Sequence, residues 1–145
     1  MGYNYIVSKY VPDYPEMCTF CILAGDAENE RETPLHLLAQ CTYVEDILTR
    51  FVEQVLNNRE DFASFRRQFY FVVPKYENMA KNQALFIIMN LFKFYIWECK
   101  LRKTMPVFDE ATSFVSNEID VATTVSSFFR NTIQNSSLQI PNGRF

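Results

Sequence analysis

Apolar residues recur along this chain at helical intervals over three long stretches, separated by breaks rich in Asn, Asp, Pro and Ser. Between Thr42 and Leu56, the residues Val44, Ile47, Leu48, Phe51, Val52 and Val55 fall three or four positions apart, which gathers them on one helix face. Thr42 and Glu45 have the spacing of a capping box for its start, and Asn57-Asn58 mark its end. From about Asn78 to Lys103 the pattern is denser. Leu85, Ile88, Met89, Phe92, Ile96 and Cys99 form one stripe, while Phe86, Phe94, Trp97 and Leu101 make much of the remaining surface apolar. Such a helix is expected to lie buried among others. Pro106 stops it, and a third run (Phe108, Val115, Ile119, Ala122, Val125, Phe129, Ile133) predicts one further helix, capped by Thr104 or Asp109. Shorter elements are expected as well: a helix from Asp61 to about Phe69, and extended pieces at Tyr5-Ile6-Val7 and at Tyr70 to Val73 before Pro74. The predicted fold is mostly α, a small helical domain.

Composition agrees with that reading. In 145 residues there are fourteen Phe and eight Tyr but only three Gly, enough for a core and too little Gly for phosphate-cradling loops or a turn-dense β fold. The net charge of −3 gives no global basic field. Charge is nonetheless uneven: Arg66, Arg67, Lys75, Lys81, Lys93, Lys100, Arg102 and Lys103 crowd the middle third, against Asp61, Glu77 and Glu98. No basic start followed by an apolar run opens the chain, and the apolar stretch from Ala84 to Trp97 is broken by Asn90 and Lys93, so no membrane partner is expected.

The chemistry concentrates elsewhere. Three of the four cysteines and the only histidine lie between Cys18 and Cys41, with the spacing Cys-x2-Cys-x14-His-x4-Cys. Zn²⁺ is held tetrahedrally by such thiolate and imidazole sets, two corners from each pair of residues close in sequence. Cys18 and Cys21 would come from one tight turn. His36 and Cys41 would come from a helix start in which Thr33 caps and Pro34 occupies the first helical position. Five residues separate His36 from Cys41, so both reach one ion only if the helix bends or breaks before Cys41. The competing readings are ordinary buried thiols around a core histidine, a disulfide, a redox pair at Cys18 and Cys21, or Cys99 replacing His36. The clustering of all four ligand types favours a CCHC zinc knuckle, with Cys18, Cys21, His36 and Cys41 as ligands and no open corner for a catalytic water. The chain then divides into an N-terminal connector (1–17), the knuckle and following helix (18–57), a helical C-terminal part (58–134) and a flexible tail (135–145).

Cys18-Thr19-Phe20-Cys21 followed by Glu32-Thr33-Pro34-Leu35-His36-Leu37-Leu38-Ala39-Gln40-Cys41 resembles the zinc-binding segment found after the polymerase domain of non-LTR retrotransposon reverse transcriptases. Tyr95 to Lys103, before Pro106, looks like the downstream tail of the same family. The resemblance runs from about Tyr5 to Arg130 and is thin between Asn57 and Asn82. It implies a part of an RNA-directed DNA polymerase that helps to grip template RNA or target DNA in target-primed reverse transcription. It also implies the parent polymerase domain as a partner and an intracellular, nuclear site of action, with assembly on RNA in the cytoplasm.

The chain has no Asp-Asp pair for polymerase metals, no Gly-x-Ser-x-Gly elbow, no P-loop and no His-Glu-x-x-His helix, so it is not expected to be an enzyme by itself. Glu28, Glu30, Glu32, Glu45 and Asp46 would repel phosphates near the metal. Contact with RNA or DNA is therefore expected from Lys9, Arg66, Arg67, Lys100, Arg102 and Lys103, with Tyr10 or Phe20 available to stack on a base, Phe20 fitting equally well as core over the zinc site. The alternative function is a zinc-stapled protein–protein interaction module that docks on a polymerase body or another partner.

Overall fold

A computed structural model describes residues 2–26, 30–56, 79–136 and 138. These residues form helices α1 (Asn4–Ser8), α2 (Thr19–Leu23), α3 (Thr42–Leu56), α4 (Met79–Arg102), α5 (Phe108–Val125) and α6 (Ser127–Asn135), with a π-helical turn at His36–Gln40 between α2 and α3. Among the described residues there is no strand; one antiparallel bridge joins Met17 and Arg31. The expected elements between Asn57 and Asn78 (the Asp61 helix and the extended piece before Pro74) lie outside the described residues.

Helix α4 is the centre. It packs against α5 and α6, which also pack on each other, while α3 packs against α5 and against the π turn. The six apolar positions predicted for the α3 face are all buried, as is the whole Leu85-to-Cys99 stripe of α4. The two faces meet where Phe51 and Phe92 lie with ring centroids 5.1 Å apart. Helix α4 is not buried all round, however: Phe86, Phe94 and Leu101 are more than half exposed. Tyr5-Ile6-Val7, expected to be extended, is the middle of α1.

Helix ends depart from the sequence expectation in instructive ways. Helix α4 stops before Pro106, at Lys103, whose φ of 56° lies in the left-handed region. Thr104 N–H then reaches Cys99 O (3.0 Å) and Lys103 N–H reaches Lys100 O (3.1 Å), the two bonds of a Schellman cap. That position favours glycine, so Lys103→Gly is expected to stabilise the fold by about 1 kcal/mol in urea denaturation. Neither Thr104 nor Asp109 caps α5. Val107 precedes its first residue, and the Tyr95 hydroxyl accepts Val107 N–H at 3.0 Å. The single helix expected over 108–133 is two helices, broken at Ser126. Thr123, Thr124 and Val125 are β-branched and poor at extending a helix, and Ser126 Oγ accepts Phe129 N–H (3.1 Å) to cap the next one. Arg130 closes the break by donating twice to Thr123 O, at 3.2 and 2.8 Å. Helix α6 continues through Asn135 and Ser136 is buried, so order extends slightly beyond the expected start of the tail.

Candidate metal centre

The two ligand pairs are brought side by side by backbone pairing. Cys18 N–H donates to Glu30 O (3.1 Å) and Glu32 N–H to Glu16 O (2.9 Å), flanking the Met17–Arg31 bridge. These bonds close the acidic loop at its base and leave a cysteine pair at one exit and the His36 turn at the other. Cys18 stands at the N-cap of α2 with Cys21 three residues on, so one helical turn presents both sulfurs on the same side.

Thr33 Oγ1 accepts His36 N–H (3.1 Å) and Leu37 N–H donates to Thr33 O (3.0 Å), with Pro34 at the first helical position, as the sequence predicts. The five-residue separation of His36 and Cys41 is met by widening the helix. Cys41 N–H bonds to His36 O at 2.6 Å across the π turn, and Cys41 itself is extended (φ −62°, ψ 120°). Cys41, rather than the expected Thr42, is the N-cap of α3: its carbonyl accepts Glu45 N–H (2.8 Å). The Cys41 sulfur also accepts from the backbone N–H groups of Val44 and Tyr43.

The four ligand atoms lie within 4.8 Å of one another, and all four residues are buried. Cys18 Sγ is 3.8 Å from Cys41 Sγ, and Cys21 Sγ is 3.7 Å from His36 Nε2. For comparison, two thiolates at about 2.3 Å from a tetrahedral ion stand about 3.8 Å apart, and a thiolate and an imidazole nitrogen about 3.6 Å. The spacing therefore fits a four-coordinate metal ion held entirely by protein. His36 Nε2 faces the sulfurs, while Nδ1 is buried without a hydrogen-bond partner among the described residues.

Protonation is divided unevenly among the thiols. The Cys18 thiol donates to Cys41, and His36 and two backbone amides add to it, so Cys41 is drawn down to about 4. As the donor in that pair, and by burial, Cys18 is held well above the usual thiol range. Burial and the neighbouring Cys41 charge push Cys21 up to about 11. In the metal-free site negative charge is thus favoured on Cys41 and disfavoured on Cys18 and Cys21. Metal uptake must expel the two raised protons, so affinity rises as pH rises through the neutral range and is lost on acidification. Titration calorimetry in buffers of different ionisation enthalpy is expected to count about two protons released per metal at pH 7.

One functional residue escapes sequence reasoning. Glu32 was expected to repel phosphate; instead it is fully buried. Its Oε1 accepts Asn4 N–H (3.0 Å) and pairs with Lys100 Nζ (2.5 Å), and its Oε2 accepts Thr19 N–H (2.7 Å) and the Thr19 hydroxyl (2.8 Å). Lys100, expected to contact phosphate, is correspondingly withdrawn from the surface and also donates to Asn4 Oδ1 at 2.7 Å. No periodicity or spacing signals this arrangement, since its members are 96 positions apart.

Of the other predicted nucleic-acid contacts, Lys9 is exposed with its Nζ 4.5 Å from the Tyr5 ring centroid. Arg102 is exposed and 3.7 Å from Glu98, and Lys103 is exposed at the end of α4. Arg66 and Arg67 lie outside the described residues. Tyr10 is 81% exposed and free to stack, whereas Phe20 is fully buried beside the metal ligands and is core. Arg31, not among the predicted contacts, flanks the same Tyr5 ring at 4.9 Å. Cys99 is buried in the core and is not part of the ligand cluster. No helix among the described residues is long and apolar enough to cross a membrane. Comparisons of the chain with protein-family models, with curated proteins and with solved structures found no match.

Proposed function

We propose that this chain is a non-catalytic zinc-binding helical module from the C-terminal region of a non-LTR retrotransposon reverse transcriptase. In that role it assists the handling of template RNA or target DNA, acting inside the cell, in the nucleus. The observation that carries the reading is the meeting of Cys18, Cys21, His36 and Cys41, the residues on which the resemblance rests, as one buried ligand set. Three thiolates and an imidazole at tetrahedral spacing suit Zn²⁺ better than hard, oxygen-seeking cations. The ion, when bound, cross-links the Cys18–Cys21 turn to the His36 turn and to the start of α3. Protein fills all four corners, so the site's work is structural.

Nucleic-acid contact then falls to Lys9, Arg102 and Lys103, with Arg66 and Arg67 in the middle third, while Glu32 removes Lys100 from that set. The test is a salt-series titration of the zinc-loaded protein against labelled single-stranded RNA and duplex DNA. Affinity is expected to fall steeply with salt, and Arg102→Ala with Lys103→Ala should lower the slope of log affinity against log salt by about two. Absence of binding at low salt would overturn this part of the reading.

A second reading, protein docking on a polymerase body or another partner, draws support from a specific observation. Val121, Val125 and Phe128, around the break between α5 and α6, are all more than 60% exposed. Retention of the module by a purified polymerase domain, unaffected by salt and lost with Phe128→Asp, would favour it.

A further inference from the structure

Glu32 belongs to neither metal-ligand pair, yet its carboxylate holds the segment that carries one of them and its main chain leads into the segment that carries the other. Through Oε2 it holds the backbone and hydroxyl of Thr19, the residue between Cys18 and the rest of the α2 turn. Through its own main chain it precedes Thr33, the cap of the His36 turn. Through Oε1 it holds Asn4 of α1 and Lys100 of α4. Asn4 completes the unit: its Nδ2 donates to Met17 O (2.8 Å) and Thr19 Oγ1 (3.2 Å), and its Oδ1 accepts from Lys100. Each carboxylate oxygen thus receives two donors, and every member of the unit is buried.

From this geometry we infer that Glu32, Asn4 and Lys100 are the positioning residues of the metal site. They fix the two ligand turns against each other and anchor both to α4, so that metal occupancy and the docking of the N-terminal region on α4 are one coupled event. The inference rests on the metal-binding reading above. It follows from the arithmetic of burial: a carboxylate with no exposure is tolerable only while all its partners are in place, and Lys100 is the one partner from the far side of the fold. A metal site needs its ligands held together beforehand, and Asn4 and Glu32 hold Met17 and Thr19, the residues on either side of Cys18. The molecule carries its own reporter. Trp97, the single tryptophan, makes an edge contact with Tyr3 (5.1 Å, 71°), and Lys100 Nζ lies 5.5 Å from its ring. If the N-terminal region leaves α4, Trp97 loses both neighbours' present arrangement.

The experiment compares wild type, Lys100→Met, Glu32→Gln and the double variant, all as the full chain. Two quantities are read: Zn²⁺ affinity by competition with a chromophoric chelator, and Trp97 emission with and without Zn²⁺. Wild type is expected to bind one ion and to change its Trp97 emission when the ion is stripped. Lys100→Met is expected to lose 10- to 100-fold in Zn²⁺ affinity, and its Trp97 emission in the loaded form should already resemble the stripped wild type. The double variant, which replaces the stranded carboxylate by an amide, should regain part of the lost affinity. A merely structural pair would lower resistance to urea and leave the Zn²⁺ constant and the Trp97 response unchanged; that result overturns the inference. Should Lys100→Met not fold even with Zn²⁺, Glu32→Gln decides by the same comparison, since it keeps the side chain's shape and one accepting oxygen. Failure of wild type to bind Zn²⁺ would instead overturn the metal reading itself.

Discussion

Cys41→Ser is expected to abolish metal binding and to leave the protein without its native fold at physiological temperature. The substitution is chosen because Cys41 stands in two places at once: its sulfur belongs to the cluster able to hold a metal ion, and its residue is the N-cap of α3. Serine is a good N-cap, so the helix start survives and the measured loss reports the metal bond. Structural zinc sites contribute on the order of 10 kcal/mol to folding, while whole domains are stable by only about 5 to 15 kcal/mol. Helix α3 leaves directly from the site, and its buried face contributes six residues to the core, so the loss propagates beyond the ligands. Circular dichroism at 222 nm during thermal unfolding, with wild type stripped by a chelator as the parallel sample, checks this. A melting curve unchanged by both treatments would mean that the helical core carries the fold alone.

The second large effect is expected at the other end of the core. Phe92→Ala should destabilise by about 3 to 5 kcal/mol, the range for emptying a fully buried aromatic site. Phe92 has no exposed surface, and Phe51 of α3 lies against it, so the cavity would open between the two longest packed faces. Because Phe51 and Phe92 share one space, the double truncation should cost less than the sum of the singles. Phe94→Ala, two residues along the same helix, is the control. Phe94 is 59% exposed beside Phe114, and its removal should cost well under 1 kcal/mol in the same urea titrations.

That contrast shows what the sequence made legible. The stripe of α4 and the face of α3 were readable because burial follows helical periodicity, and every predicted residue of both is inside. The meeting of Cys18, Cys21, His36 and Cys41 was readable because coordination demands particular residue types at short spacings. Three kinds of feature were not. Phe86, Phe94 and Leu101 look like core by composition, and only the placement of α5 and α6 decides which side of α4 is covered. The break at Ser126 depended on a run of β-branched residues outweighing an unbroken apolar pattern. Lys100 read as a surface cation because it stands in a basic last turn, and a buried partner contributed from the other end of the chain has no local signature.

The wide turn at His36–Gln40 has a consequence for how this sequence tolerates change in length. A π turn is an α turn with one residue added, and each residue advances an α-helix by about 100°. With one residue fewer between His36 and Cys41, the turn closes as ordinary α-helix and His and Cys still share a face, so the metal could be retained. Because Cys41 is extended and is itself the N-cap of α3, Val44, Ile47 and Phe51 keep their register to its sulfur whatever the length of the turn before it. The ligand turn and the helix that follows are thus phased separately, with Cys41 as the joint between them. A one-residue deletion there should therefore leave both metal binding and the direction of α3 intact, because each is set from Cys41.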